Sequence, residues 1–256
     1  MTETTTTIAL ITGGNRGLGR AAALHLAAAG ADVVLTYRSN TEEAAKVVTD
    51  VQDAGRRAVA LALDTTQPAD FPFFAEEVAR VLRECWGRDS FDVLVNNAGA
   101  VTATPVGTTD RSAIDEMVGV HFTGVVLLTQ ELLPLLADGG RVVNTSTGLA
   151  RFTGDPSYSV YAAVKGAVEV WTRYLAKAVG GRGITANVIA PGPVATDFGG
   201  GYLRDDEELR RALGGNAALG RVGEPDDIGA AVAALAVGGL GWVTGQRIEA
   251  SGGTFL

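Results

Sequence analysis

Short apolar runs alternate with longer amphipathic stretches along nearly the whole chain. The runs have strand length and cover residues 8–12, 32–36, 58–63, 92–95, 141–145, 184–189 and 247–249. Several are unbroken, such as Val33-Val34-Leu35 and Val93-Leu94-Val95. An unbroken run is what a strand needs when both faces of its sheet are covered. Between the runs, helical spacing predicts helices near 17–29, 41–54, 70–86, 111–137, 157–180 and 225–237. Pro156 and Pro225 stand at first turns, where the missing N–H costs nothing. This alternation predicts βαβ units around a parallel sheet, an α/β fold. No linker or repeat divides the chain, so residues 1–256 read as a single domain. The one break in composition is 198–220, where Gly199, Gly200, Gly201, Gly214 and Gly215 flank Asp205, Asp206, Glu207 and Glu208. It reads as a mobile insertion over the substrate.

Composition narrows the function. Across 256 residues, 46% are hydrophobic and 20% charged, an ordinary globular balance. A net charge of −8 argues against nucleic acid, whose phosphates need a positive face. The lone Cys85 can form no internal disulfide and suits a reducing cytoplasm. His25, His121 and Cys85 are the only soft ligands, too few for a zinc cluster, and no metal is expected. Residues 1–7 carry no basic residue, unlike the start of a signal peptide. The uncharged stretch 228–246 is interrupted by Gly238, Gly239, Gly241 and Gly245. It predicts a helix, a turn and a strand rather than a membrane span.

Two local patterns carry chemistry. Thr12-Gly13-Gly14-Asn15-Arg16-Gly17-Leu18-Gly19 follows the first strand and opens the first helix. Glycines there let the backbone approach a pyrophosphate seated on the helix N-terminus, as in dinucleotide sites. The second strand exits into Tyr37-Arg38-Ser39-Asn40 with no acid to meet a ribose 2′-hydroxyl. Arg38 and Arg16 instead suit a 2′-phosphate, so NADPH is expected over NADH. Asp32 lies at the far end of that strand and reads as a surface residue. The second pattern is Tyr161 and Lys165, one helical turn apart on one face. An ammonium there would lower the phenol pKa and make the pair a proton donor and acceptor. Tyr158 is a rival whose partner at the same spacing is Ala162.

Taken with Asp64 after the third strand, Asn96-Asn97-Ala98-Gly99 after the fourth and Pro191-Gly192 after the sixth, these patterns strongly resemble the short-chain dehydrogenase/reductase family. The resemblance implies a Rossmann-like, doubly wound, seven-stranded parallel sheet with helices on both faces. It implies that Asp64 and Thr65 contact adenine, with Arg38 and Ser39 nearby, and that Gly13, Asn15, Arg16, Gly17, Leu18 and Gly19 hold the phosphates. Asn97, Ala98 and Gly99 would flank the adenosine ribose. Tyr161 and Lys165 would hold the nicotinamide ribose, and Pro191, Gly192, Val194 and Thr196 would border the nicotinamide. It further implies reversible hydride transfer between NADPH and a small-molecule carbonyl or alcohol, and a homodimer or homotetramer.

Two positions depart from the family pattern. A serine usually ends the fifth strand; here Ser146 and Thr147 compete, on opposite faces if the strand continues. Register favours Thr147. The family's V-N-x-x-G reads Val120-His121-Phe122-Thr123-Gly124, with His121 in the asparagine slot. His121 could continue a proton relay or simply pack against a backbone group. A 3-oxoacyl-thioester reductase and a non-catalytic NADPH-binding sensor remain alternatives. Arg204, Arg210 and Arg211, mixed with acids, do not decide between acyl-carrier and free-ketone substrates.

Overall fold

A computed structural model of the chain describes residues 6–256. The first five residues, part of the segment read as unlike a signal peptide, lie outside the described residues. Seven strands arise at the apolar runs: β1 (Ile8–Ile11), β2 (Asp32–Tyr37), β3 (Ala58–Ala62), β4 (Phe91–Asn96), β5 (Leu136–Thr145), β6 (Thr185–Pro191) and β7 (Arg247–Ala250). They form one sheet in the order β3-β2-β1-β4-β5-β6-β7, with every pairing parallel. The chain order reverses between β1 and β4. Connections there leave toward opposite faces, and a crevice opens at the C-terminal strand ends.

Side chains alternate across each strand and feed two cores. Ala9 and Ile11 join the layer made with α1 (Gly17–Ala28), α2 (Thr41–Asp53) and α9 (Pro225–Val237). Ile8 and Leu10 join the layer made with α3 (Phe71–Trp86), α5 (Gly124–Leu132) and α6 (Ser159–Val179). The abundance of small residues has a packing reason. A Cβ on Gly229 of α9 would come within 2.7 Å of the Ala21 backbone in α1. Only glycine lets these two helices pack so closely.

Two sequence expectations need correction. The helix expected over 111–137 is α4 (Arg111–Val118), a π-helical turn Gly119–Thr123, and α5. It ends early because Pro134 lacks the N–H that would continue the ladder, and β5 already begins at Leu136. By length and a mean hydropathy of 1.4, Arg111–Leu135 also meets the criteria for a membrane span. Here Met117, Leu128 and Leu132 of that run are buried in the cores.

Asp32 is not at the surface. It accepts hydrogen bonds from Arg56 Nε (2.9 Å), Arg57 N (2.9 Å) and Trp86 Nε1 (2.7 Å), clasping the ends of β2, β3 and α3. Its burial costs little because the carboxylate is paired and hydrogen-bonded. The segment 198–220 contains two short helices, α7 (Tyr202–Asp205) and α8 (Glu207–Gly214). Leu203 anchors it against Ala195 and Val222.

Candidate active site

At the crevice, the turn after β1 is held open by its neighbours. Gly13 N donates to Thr36 Oγ1 (3.1 Å), and Gly14 N donates to Thr36 O (2.8 Å). Asn97 Nδ2 donates to the carbonyls of Thr12 (3.0 Å) and Gly13 (3.1 Å). Asn97 therefore shapes the turn rather than presenting its amide to a ligand. Gly13 and Gly17 have φ of +62° and +53°, which side chains resist. A Cβ on Gly19 would lie 2.2 Å from Gly13 O and 2.5 Å from Asn97 Nδ2. The turn is thus a backbone cradle at a helix N-terminus, which fits a dinucleotide pyrophosphate. Thr196 closes its far side, 3.8 Å from where a Gly17 Cβ would stand. Arg16, Arg38 and Ser39 are exposed at the rim.

Other expected contacts are placed differently. Asn15 Nδ2 turns away to Glu43 Oε2 (2.8 Å), joining the turn to α2. Asp64 accepts from Thr66 N (2.9 Å) and Thr66 Oγ1 (2.7 Å), and it lines a cavity of about 340 Å³ with Arg38 and Phe73. Leu18 packs against the core. The carbonyl of Thr65 receives α5 so closely that a Gly124 Cβ would stand 2.4 Å from it. Gly192 N donates to Ala250 O (3.1 Å), Val194 bridges to Gly223, and Pro191 closes β6.

Tyr161 and Lys165 are both buried, with the ammonium 5.9 Å from the ring centre. Lys165 Nζ donates to Thr145 O (2.7 Å) at the end of β5. Burial drives the lysine pKa down to about 7. Burial also raises the Tyr161 pKa above its usual value, and the Thr147 hydroxyl facing it opposes that rise. The lysine-lowered phenol expected from the spacing is therefore not what this structure holds. Withdrawal from water is the first cause of both shifts, and it pushes both groups toward neutrality.

The two hydroxyls of the β5 end part company. Ser146 Oγ donates to Glu169 Oε1 (2.6 Å), away from the tyrosine, while Thr147 faces the phenol. His121 sits in the π-helical turn with its ring edge-on to Tyr161 at 5.1 Å. Its Nε2 bonds Ala100 O (2.7 Å), and Nδ1 is buried without a partner. Desolvation, then the charge of Lys165, holds its pKa well below 6.5. Of the two roles open to His121, the contact with a backbone group is the one present in the structure.

Residues 13–254 match the family model described as enoyl-(acyl carrier protein) reductase. The chain belongs to the short-chain dehydrogenase/reductase family. It is 35% identical to a hydroxynaphthalene reductase-like protein, Arp2, of Metarhizium brunneum, over 96% of this chain and 94% of that protein. Versicolorin reductase 1 of Dothistroma septosporum is 31% identical over 97% and 95%. Among solved structures, LugOII, a promiscuous reductase of lugdunomycin biosynthesis acting at C1, superposes with a TM-score of 0.92. It is 35% identical, covering 98% of this chain and 99% of its own. The angucycline C-6 ketoreductase LanV, solved with bound NADP, gives a TM-score of 0.91 at 34% identity, covering 98% and 96%. This short-chain reductase is accordingly an oxidoreductase of carbonyl and hydroxyl groups.

Sequence reasoning missed the aromatic wall of the reductase site. Phe198 lies 5.9 Å from the Tyr161 ring, and Tyr202 of α7 shares a hydroxyl–hydroxyl bond of 2.9 Å with Tyr158. Burial, then that bond, pushes the Tyr158 phenol up to about 12. Tyr158 is thus part of the wall, its hydroxyl engaged by Tyr202 and its position one helical turn on filled by Ala162. Spacing could not have revealed this, because Tyr158 and Tyr202 are 44 residues apart.

Proposed function

We propose that the chain is an NADPH-dependent ketoreductase that reduces a ring ketone on a planar, polycyclic aromatic substrate to a secondary alcohol. The observation that carries this reading is a buried, protonated Tyr161 flanked by the Thr147 hydroxyl and by Lys165, in a chain that also carries the glycine cradle. The aromatic side chains of Tyr158, Phe198 and Tyr202 around that phenol suit a flat, apolar ring system. The relatives named for hydroxynaphthalene, versicolorin and angucycline ketones support the same class.

When bound, NADPH supplies the hydride that reaches the carbonyl carbon. Tyr161 gives its phenolic proton to the carbonyl oxygen. Its raised pKa keeps that proton on the phenol at neutral pH until the substrate oxygen takes it. Thr147 donates a hydrogen bond to the oxygen as negative charge grows there. Lys165, fixed by Thr145 O, holds the nicotinamide ribose. Gly13, Gly17, Gly19 and neighbouring backbone amides take the pyrophosphate. Asp64 and Thr65 border the adenine, Arg16, Arg38 and Ser39 meet the 2′-phosphate, and Ala98, Gly99, Pro191, Gly192, Val194 and Thr196 line the rest of the cofactor groove.

The segment 198–220 acts as a mobile cover over substrate. The chain assembles as a homodimer or homotetramer in the cytoplasm. Val170 and Tyr174 of α6, 46% and 73% exposed, support a partner surface. The test is NADPH and NADH consumption with polycyclic ketones, quinones, 3-oxoacyl thioesters and enoyl thioesters. NADPH-dependent turnover of the polycyclic ketones is expected. Faster turnover of a thioester, or equal use of NADH, overturns the substrate or cofactor assignment.

A further inference from the structure

Around the Ser146 and Thr147 peptides, four charged side chains form a continuous brace. Arg247 of β7 donates through Nε to Glu169 Oε1 of α6 (2.7 Å), and its Nη1 bonds Glu249. Its Nη2 donates to the carbonyl of Thr147 itself (3.1 Å). The oxygen of Glu169 that receives Arg247 also accepts the Ser146 hydroxyl at 2.6 Å. Arg151, just beyond the same loop, donates to Glu249 Oε2 (3.0 Å) and to Thr254 O (2.8 Å). The Arg247 and Glu169 side chains are only 21% and 13% exposed.

The loop being held is short. It runs from the end of β5 into a 3₁₀ turn, Gly148–Ala150, and Leu149 N donates to Thr147 Oγ1 (3.3 Å). A strand end would leave Thr147 free to rotate about its last peptide. The brace removes that freedom from both neighbouring peptide units: Glu169 fixes Ser146 through its side chain, and Arg247 fixes Thr147 through its carbonyl. With these two groups drawn toward β7, the Thr147 hydroxyl is left facing the phenol.

Buried ion pairs of this kind are weak evidence for stability, because desolvation offsets much of their attraction. Their better use is to hold a reacting group in one geometry. We propose that Arg247 and Glu169 are positioning residues of the reductase, acting through the Thr147 backbone to aim its hydroxyl at the substrate oxygen. This rests on the assignment of Thr147 as the group that binds that oxygen.

The test is a double-mutant cycle with Thr147→Ala. Arg247→Met alone is expected to lower kcat on the order of 10- to 100-fold, the usual cost of losing support behind a reacting group. NADPH affinity, read by cofactor fluorescence, should stay within about twofold because the brace reaches Lys165 only at its backbone carbonyl, through the Ser146 hydroxyl (3.4 Å), and leaves the Lys165 ammonium on Thr145 O. In the Thr147→Ala background the same substitution should lower kcat no further. Glu169→Gln keeps an acceptor for Ser146 and should show a smaller loss with the same coupling. It carries the cycle if Arg247→Met does not fold.

An equal loss of kcat with and without Thr147, or an unchanged kcat, overturns the proposal in favour of a structural ion pair. Hydrogen exchange at Leu149 N gives a readout apart from turnover. It should quicken in Arg247→Met while exchange in α1 does not, and unchanged Leu149 exchange also overturns the brace. A wild-type chain that reduces no ketone would instead overturn the functional assignment, leaving the brace decided by exchange.

Discussion

Tyr161 and Lys165 show how one physical cause sets the state of two unlike groups. Burial opposes charge on either, so the phenol stays protonated and the lysine titrates near 7. Tyr161→Phe removes the proton donor without touching the cradle. Turnover should fall to background while NADPH affinity is retained, measured by steady-state kinetics and fluorescence titration. Lys165 also links stability to pH. Its folded pKa of about 7 lies below its unfolded value of 10.5, so between these limits the unfolded chain binds more protons. Stability contributed by this group therefore rises with pH across that window and falls as pH drops toward 7. Urea unfolding of the cofactor-free chain at pH 7, 8 and 9 should show that rise, and Lys165→Met should flatten it.

At the scale of elements, the π-helical turn at Gly119–Thr123 is the informative irregularity. The extra residue it accommodates directs His121 inward, where Nε2 ties the turn to Ala100 beyond β4. That contact joins the α4–α5 run to the loop at the crevice. His121→Ala would remove the tie and leave a cavity beside Tyr161, and should destabilise by about 2–4 kcal/mol in chemical denaturation. The glycine turn is an element-scale feature too, since its shape depends on Thr36 of β2 and Asn97 after β4. Gly19→Ala would force the turn away from Asn97. NADPH affinity should fall at least about tenfold, the scale of losing one good hydrogen bond or more, while far-UV circular dichroism stays unchanged.

For the whole molecule, the doubly wound sheet places every proposed reacting group at the C-terminal edge of β1, β4, β5 and β6. Residues remote in sequence meet there because strand order, not chain order, sets neighbourhood. The surface away from that edge carries apolar side chains, including Tyr174 on α6 and Trp242, which is 99% exposed. Light scattering should report a mass of two or four chains, with Tyr174→Glu shifting it downward if α6 lies in the interface. NADPH present at 100 times its dissociation constant should add about 2.7 kcal/mol to unfolding free energy, seen as a rise in Tm.

The sequence alone determined the parallel α/β fold, the cradle and the tyrosine–lysine pair. Each is written in local spacing: unbroken apolar runs for strands buried on both faces, glycines between a strand and a helix, and two side chains one helical turn apart. Only tertiary structure decided which hydroxyl meets Tyr161, how far His121 lies from water, and that Asp32 is a buried clasp. Those outcomes depend on groups distant along the chain, such as Arg247 on the Thr147 carbonyl, 100 residues away. The direction of the Tyr161 shift belongs with them. Spacing supplied the lysine, but only packing withdrew both groups from water, which is the first cause of both shifts.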